Sequence, residues 1–552
     1  MVFTVRPMKC SPRKIAALVL VATIFFGLPA PAQNLDQIGV TLLRAVTTNV
    51  NGSGIRVAQP EAMEAAGTTN FEVNPSAVGQ SAGLFTYTSS NGSTNNFPNA
   101  LGAESGHADG VAGNFYGLGG GVATNVAHID NYDADYFYNS IIAVTFPPNV
   151  NDPVVNQSFI FCQPDFSHFP VSTEQDIDSQ YDDYAAQYKT LFVSGAGNGG
   201  PTNQARIYPS ATCYNGIGVA AYGGSSCIGP TLDNGRAKPD ITAPAGVTSF
   251  STPLVSGAAA VLMQAALRGD GGSDTNSAFD IRTIKALLLN GAVKPADWTN
   301  VVPSPLDTRY GAGVLNVFNS YEQLAGGKHG FIVSTSVTSG STHPPTGATG
   351  TESMLSGWDF NAITSTSGGI FSSATDGVNH YYFNATNGAN NAAFTATITL
   401  VWNRPQSQTT QIQSGINNLD LFLYNAANGN LVACSTSLVD NVEHIFVPRL
   451  PPGRYDLQVL KNSGGAVADS ETYALVWGFY SPSLTVSKSG ADLILTWPVY
   501  PAGFRVEATT NLLSSVWSAD GLASSVVTNR INSLPLNPTN AQQFFRLREP
   551  GF

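Results

Sequence analysis

Thr248-Ser249-Phe250-Ser251-Thr252-Pro253-Leu254-Val255-Ser256-Gly257, continuing into Ala258-Ala259-Ala260-Val261-Leu262-Met263, decides the reading of this chain. Small hydroxyl residues lead into Pro253, and a run of small and apolar side chains follows without a charge until Arg268. Proline suits the first turn of a helix, where its missing N–H goes unneeded. The pattern therefore predicts a helix entered at Thr252 as N-cap and buried on all sides. Ser249, just ahead of it, would lie beside unpaired amides and the positive end of the helix dipole, where an oxyanion is stabilised. Taken by itself, the segment is equally a buried helix with a hydroxyl cap.

Outward from that stretch, the N-terminus reads as an export signal. Arg6, Lys9, Arg13 and Lys14 precede an apolar run from Ile15 to Leu28, and Ala30-Pro31-Ala32 offers a small-x-small cleavage site. A run of about 14 apolar residues is too short to span a bilayer. Residues 1–32 are therefore expected to be a signal peptide, and the mature chain to be secreted, without a membrane span and monomeric. Losing those four cations takes the formal net charge from −12 to −16, and no basic cluster remains for nucleic acid. Charged residues make up only 11% of the chain, as in loop-rich extracellular proteins. Cys162, Cys213, Cys227 and Cys434 form no CxxC pair, so zinc is not expected. A Cys213–Cys227 disulfide is one option in an oxidising compartment.

In chain order, Leu35 to Val50 has helical apolar spacing. Gly52 to Ala62 reads as a turn and a short strand with Glu61 at its carboxyl end, where open α/β sheets place their sites. Ser105-Gly106-His107-Ala108-Asp109-Gly110-Val111-Ala112-Gly113 sets a histidine at a glycine-rich helix start. Val154-Val155-Asn156-Gln157-Ser158 and Leu191-Phe192-Val193-Ser194-Gly195-Ala196-Gly197-Asn198 are apolar strands ending in polar residues. Further on come Tyr208-Pro209-Ser210, the strand Ile217 to Ala221, Lys238-Pro239-Asp240-Ile241-Thr242-Ala243-Pro244, the helix Ile281 to Ala292 and Tyr310-Gly311-Ala312-Gly313-Val314-Leu315-Asn316.

Six of these stretches, in this order, resemble the motifs of the subtilisin-like serine peptidases over roughly residues 35 to 326. Thr-Ser-x-x-x-Pro-x-Val-x-Gly resembles the family's nucleophile motif, and the histidine segment departs from the usual pattern at Ala108, Asp109 and Gly110. The resemblance implies Ser249 as nucleophile, His107 as general base and acid, Glu61 in the aspartate's place, and Asn198 with the Ser249 amide as oxyanion hole. It also implies substrate binding along Ser158, Phe159 and Ile160 and along Gly195, Ala196 and Gly197. Phe159, Ile160 and Phe161 stand where the family usually has Leu-Gly-Gly, so a narrowed cleft is expected. Val247 replaces a glycine at what should be a tight backbone position. The implied activity is endopeptidase cleavage of proteins or peptides through an acyl-enzyme, with no cofactor required. An inactive subtilase fold serving as a binding scaffold is the alternative.

Beyond Gly326-Gly327, Ser334 to Thr351 reads as a linker rich in Ser, Thr, Gly and Pro. A period of two then marks strands at 394–402, 418–424, 442–447, 453–459 and 472–477. These resemble a jelly-roll domain that follows some bacterial subtilases. Such domains can carry structural calcium, for which Asp420 and Glu443 are candidate ligands. The expected architecture is an α/β domain with a mainly parallel sheet flanked by helices (33–326), an all-β jelly-roll sandwich (327–480), and a small β module (481–552).

Overall fold

The computed structural model describes residues 31–64, 68–97, 104–199, 205–346, 353–386, 392–404, 415–464, 467–490, 492–513, 516–519, 522–536 and 543–548. The expected signal segment therefore lies outside the described residues, apart from its last two positions.

Two short helices, α1 (Pro31–Gln37) and α2 (Val40–Val46), stand where sequence periodicity predicts one. Gly39 separates them at φ 77°, and a Cβ there would sit 2.7 Å from Asn316 Oδ1, so the break belongs to a close approach.

The first layer is a sheet of eight strands in the order β3-β2-β4-β1-β5-β6-β7-β8. Its members are β1 (Arg56–Glu61), β2 (Phe85–Thr88), β3 (Thr94–Asn95), β4 (His128–Asp133), β5 (Val154–Gln157), β6 (Leu191–Gly195), β7 (Ile217–Tyr222) and β8 (Ile241–Pro244). All neighbouring pairs are parallel except β2–β3. Pairing of β1 with β5 stops at Ala58, so the missing N–H of Pro60 breaks no ladder on that side. β5 and β6 are buried along their whole length, as strands covered by helices on both faces are.

The helices are α3 (Gly106–Phe115), the single turn α4 (Ala134–Tyr136), α5 (Val171–Tyr188), α6 (Thr248–Leu267), α7 (Thr275–Phe279), α8 (Ile281–Asn290) and α9 (Val317–Ala325). Nearly every side chain of α6 from Ser251 to Ala266 is buried. Among the described residues α6 is the one helix long and apolar enough to cross a membrane, but 83% of that window lies inside the protein, as expected of a core helix. Close packing explains Gly257, where a Cβ would fall 2.5 Å from Val122 Cβ. Under α6, buried Asp240 accepts from the Gly218 amide at 2.7 Å and pairs with Lys238 at 2.5 Å and Lys285 at 3.0 Å. The two ammonium groups and that amide outweigh burial and hold its carboxyl below the usual range.

A β-sandwich follows. One sheet runs β10-β17-β12-β15 and the other β14-β13-β16-β11-β9. The strands are β9 (Val333–Thr338), β10 (Ser356–Thr364), β11 (Thr375–Ala385), β12 (Phe394–Trp402), β13 (Leu419–Asn425), β14 (Leu431–Ser435), β15 (Val442–Leu450), β16 (Gly453–Lys461) and β17 (Ser470–Tyr480). The stretch predicted as a linker thus begins with an edge strand, paired antiparallel with β11 from Val333↔His380 to Thr338↔Thr375. Trp402, Trp477, Leu421 and Leu457 fill the space between the sheets.

The sandwich packs on α8 and its surroundings through a shared apolar core, with Val401, Val442, Ala474 and Val476 beside Ile284, Leu287 and Leu288, and through polar contacts. Asn290 Oδ1 accepts from Thr397 Oγ1 at 3.0 Å and Thr399 Oγ1 at 2.9 Å, and the Ala237 amide donates to Asp440 at 2.8 Å. Asn215 and Arg404 exchange two hydrogen bonds of 2.8 and 3.1 Å. The final module holds a sheet β18-β19-β22-β21 (485–489, 492–498, 531–536 and 526–528) and a pair β20-β23 (505–509 and 544–548) around Leu495, Trp497, Val506 and Leu534.

Cys213 and Cys227 are not joined. Both are free, Cys213 in the main core and Cys227 in a separate small apolar cluster with Ile207 and Tyr208. Asp420 and Glu443, the candidate calcium ligands, are bonded to neighbouring protein groups. Both Glu443 oxygens accept hydrogen bonds, from Ser435 Oγ and from the Ser437 amide at 2.5 Å. Burial raises its carboxyl well above the usual range. Asp420 keeps one oxygen without a partner and gives the other to Asn462 Nδ2 at 2.7 Å. Among the described residues no group of three or more His, Cys, Asp or Glu is arranged to hold a metal.

Candidate active site

The site forms at the carboxyl ends of β1, β5 and β6, beneath the N-termini of α3 and α6. Ser105 caps α3, its Oγ accepting from the Ala108 amide at 3.1 Å, and this fixes His107 in the first turn. His107 Nδ1 lies 2.9 Å from Glu61 Oε2. The carboxylate can only accept, so Nδ1 carries the proton and Nε2 keeps its lone pair. Glu61 is 1% exposed and needs a partner for each oxygen. Gln59 Nε2 supplies the second one, donating to Oε1 at 2.9 Å and to the Ala108 carbonyl at 3.1 Å. Tyr116 in turn donates to Gln59 Oε1 at 2.7 Å. Gln59 and Tyr116 were not singled out from the sequence. The one available signal is that Gln59 precedes the carboxylate by two residues in a strand and so shares its face.

Helix α6 begins at Thr248, four residues before the predicted cap, with Val247 preceding it at φ −147°, ψ 159°. That conformation is extended, so the expected tightness at Val247 does not arise. Thr252 is no cap; its Oγ1 bonds back to the Thr248 carbonyl at 2.7 Å. Pro253 sits inside the helix, where it cannot donate to the carbonyl of Ser249. Ser158 Oγ takes that carbonyl at 3.0 Å. Ser158 is held by Asn156 Nδ2 at 3.0 Å, and Asn156 Oδ1 by Ser256 Oγ at 2.8 Å. Ser249 is thereby tied to the end of β5 through the bond its own proline leaves open. Its amide belongs to the first helical turn, whose donors have no intrahelical partner.

Asn198 Oδ1 accepts from the Thr248 amide at 2.8 Å and from Thr248 Oγ1 at 2.7 Å. With its oxygen committed to Thr248, the Asn198 amide is fixed in orientation and its Nδ2 points away from that residue. Phe250, next to Ser249, lies with its ring centroid 6.1 Å from that of His107. A Cβ on Gly110 would meet the Phe250 ring at 2.8 Å, which accounts for one departure in the histidine motif.

The residues assigned to substrate binding divide. Ser158 positions the nucleophile's helix. Phe159 and Phe161 are buried, their rings 5.6 Å apart, with Phe161 against Tyr138 and Tyr181, so they do not narrow the cleft as predicted. Ile160 is half-buried against the cluster of Cys162, Ala196, Ile207 and Tyr208. Gly195 runs under α6, where a Cβ would lie 3.1 Å from Thr252 Oγ1, and Ala196 is fully buried. Gly197 adopts φ +100°, and a Cβ there would stand 2.8 Å from the Tyr208 ring. These three deliver Asn198 through their backbone.

Burial disfavours the His107 imidazolium, but the charge and hydrogen bond of Glu61, with the charge of Glu64 beyond, outweigh it and lift the imidazole above its ordinary 6.5. A general base must be neutral, so activity is lost as pH falls through this raised value. The acid limb of kcat/KM is expected to have its midpoint above pH 6.5, moving down in Glu64→Gln. A rate profile with a wild-type midpoint at or under 6.5 would contradict this electrostatic account.

A parallel sheet with a histidine–carboxylate pair and a helix-borne serine at its carboxyl ends has the makings of a serine hydrolase. Residues 80–313 match the model of the Subtilase family, and the chain carries a subtilase-family serine peptidase domain. His107, Asn198 and Ser249 fall inside the matched region and Glu61 ahead of it. No curated protein matches the sequence. Similar solved structures include the Aeromonas sobria serine protease in complex with the chaperone ORF2 (12% identity, 91% of this chain and 87% of that one, TM-score 0.34). The PatG macrocyclase in complex with peptide (16%, 53% and 97%, TM-score 0.34) and tripeptidyl peptidase 2 (12%, 76% and 43%, TM-score 0.29) are others. Likeness at this level adds no argument to the geometry of the site.

Proposed function

We propose that the protein is a secreted endopeptidase that cleaves protein or peptide substrates through a Ser249–His107–Glu61 triad. His107 Nε2 takes the Ser249 proton as Oγ attacks the scissile carbonyl, forming an acyl-enzyme, and returns it to the leaving amine. Glu61 fixes the imidazole tautomer and balances the imidazolium. Asn198 Nδ2 and the Ser249 amide bind the oxyanion. Water then attacks the acyl-enzyme by the same route. The observation that carries this reading is the 2.9 Å His107 Nδ1–Glu61 Oε2 contact, which Gln59 braces from behind. The extra methylene relative to aspartate is accommodated without breaking that contact. The export signal at residues 1–32 supports the extracellular setting.

A fluorophosphonate probe tests the reading. It is expected to label Ser249, located by mass spectrometry, and to leave Ser249→Ala and His107→Ala unlabelled. Absence of an adduct on folded wild-type protein would refute the peptidase mechanism and favour a binding scaffold.

A further inference from the structure

A cavity of about 200 Å³ lies where all three parts of the chain meet, and it contains none of the catalytic residues. Its walls come from the end of α8 and the turn after it, from α9, from strands β12, β15 and β17 of the sandwich, and from residues 500–504 of the last module. Three polar side chains face it with unspent hydrogen-bonding capacity. Asn290, 1% exposed, gives Oδ1 to Thr397 and Thr399, and its Nδ2 has no partner. Gln323, also 1% exposed, donates Nε2 to Tyr500 at 3.4 Å, and its Oε1 has no partner. Lys294 Nζ donates to the Ala312 carbonyl and lies 4.9 Å from the Trp298 ring centroid and 5.3 Å from that of Phe446. Burial lowers its ammonium to about 7. Buried polar groups are ordinarily paired, so two orphans on one cavity wall ask for an occupant. The remaining lining is apolar, with Phe446, Tyr480 and Phe504 prominent.

We propose that this cavity binds a small carboxylate that carries a hydrogen-bond donor on its α-carbon and an apolar flank, the chemistry shared by free α-amino acids and 2-hydroxy acids. The carboxylate meets Lys294 Nζ and Asn290 Nδ2. The α-substituent donates to Gln323 Oε1. The flank rests on Phe446 and Phe504. The volume is below that of pockets for drug-sized ligands, which excludes a peptide segment. A ligand here touches all three parts of the chain and stabilises their junction by mass action.

Isothermal titration of the mature full-length protein at about pH 6, where Lys294 is protonated, tests this with three probes: L-leucine, L-2-hydroxy-4-methylpentanoate and 4-methylpentanoate. The first two share the proposed chemistry, and the third lacks the α-donor. Saturable binding in the millimolar range or tighter is expected for at least one of the first two, with the third about tenfold weaker or more. Which of the two binds tells an ammonium from a hydroxyl donor. Gln323→Met is expected to reduce the preferred probe to the level of 4-methylpentanoate, and Lys294→Met to abolish binding. Should Lys294→Met not fold, Gln323→Met decides. No saturable heat from any probe up to about 20 mM would leave water as the occupant and overturn the proposal. So would binding that Gln323→Met leaves unchanged.

Discussion

Ser249→Ala is expected to lower kcat about 10⁶-fold on any peptide substrate while leaving the fold intact. The hydroxyl is small and half-exposed at the first turn of α6, and the helix is held there by bonds that do not involve it. The Ser249 carbonyl remains bound to Ser158, and the oxyanion donors stay in place, so a residual rate over water should persist. His107→Ala should cost a similar factor, and the double variant little more than either alone, because nucleophile and base act as one unit. Measurement of kcat for the three variants, with thermal unfolding as a control on structure, checks this. A Ser249→Ala protein within about tenfold of wild type would remove Ser249 from the mechanism.

Glu61→Gln is expected to lower kcat about 10⁴-fold with KM little changed. Gln59 Nε2 is already a donor to Glu61 Oε1, and Tyr116 fixes it in that role through Gln59 Oε1. An amide at position 61 must therefore turn its oxygen toward Gln59 and its NH₂ toward His107. That imposes the wrong tautomer, with Nδ1 as acceptor and the proton on Nε2, where it blocks base catalysis. Glu61→Asp restores the residue type usual in the family, yet it withdraws the carboxylate from both partners by about one bond length. A displacement of this order costs about 10²-fold. Activity of Glu61→Asp at or above wild type would show that the Gln59–Tyr116 brace is not what positions the acid.

The parallel sheet and the alternating strands of the sandwich were legible in the sequence as short-range pattern, whereas the pairing of Glu61 with His107 was expected only from the resemblance to a family. A β-strand ending in a carboxylate, a glycine-rich helix start and an apolar helix are readable over ten residues. What failed depends on partners distant in the chain. Val333–Thr338 reads as linker by its serines and threonines, and becomes a strand because β11 offers it an edge. The start of α6 moves to Thr248 because Asn198, fifty residues earlier, receives that residue's amide and hydroxyl. Phe159 and Phe161 turn inward because Tyr138 and Tyr181 leave an aromatic cavity for them. Gln59 looks like any polar strand residue until Tyr116 and Ala108 close around it.

The seam between α8 and the sandwich joins two kinds of contact: Val401, Val442, Ala474 and Val476 share a core with Ile284, Leu287 and Leu288, and Asn290 is bonded to Thr397 and Thr399. Parting the apolar part costs free energy in proportion to the area wetted, while the matched donors and acceptors set the register, because losing one partner in a seam that stays dry strands the other. Asp440 and Thr399 lie on the sandwich side of these contacts, so substitutions there are expected to loosen the footing of α8 and of the segment leading into β8 without touching the cleft.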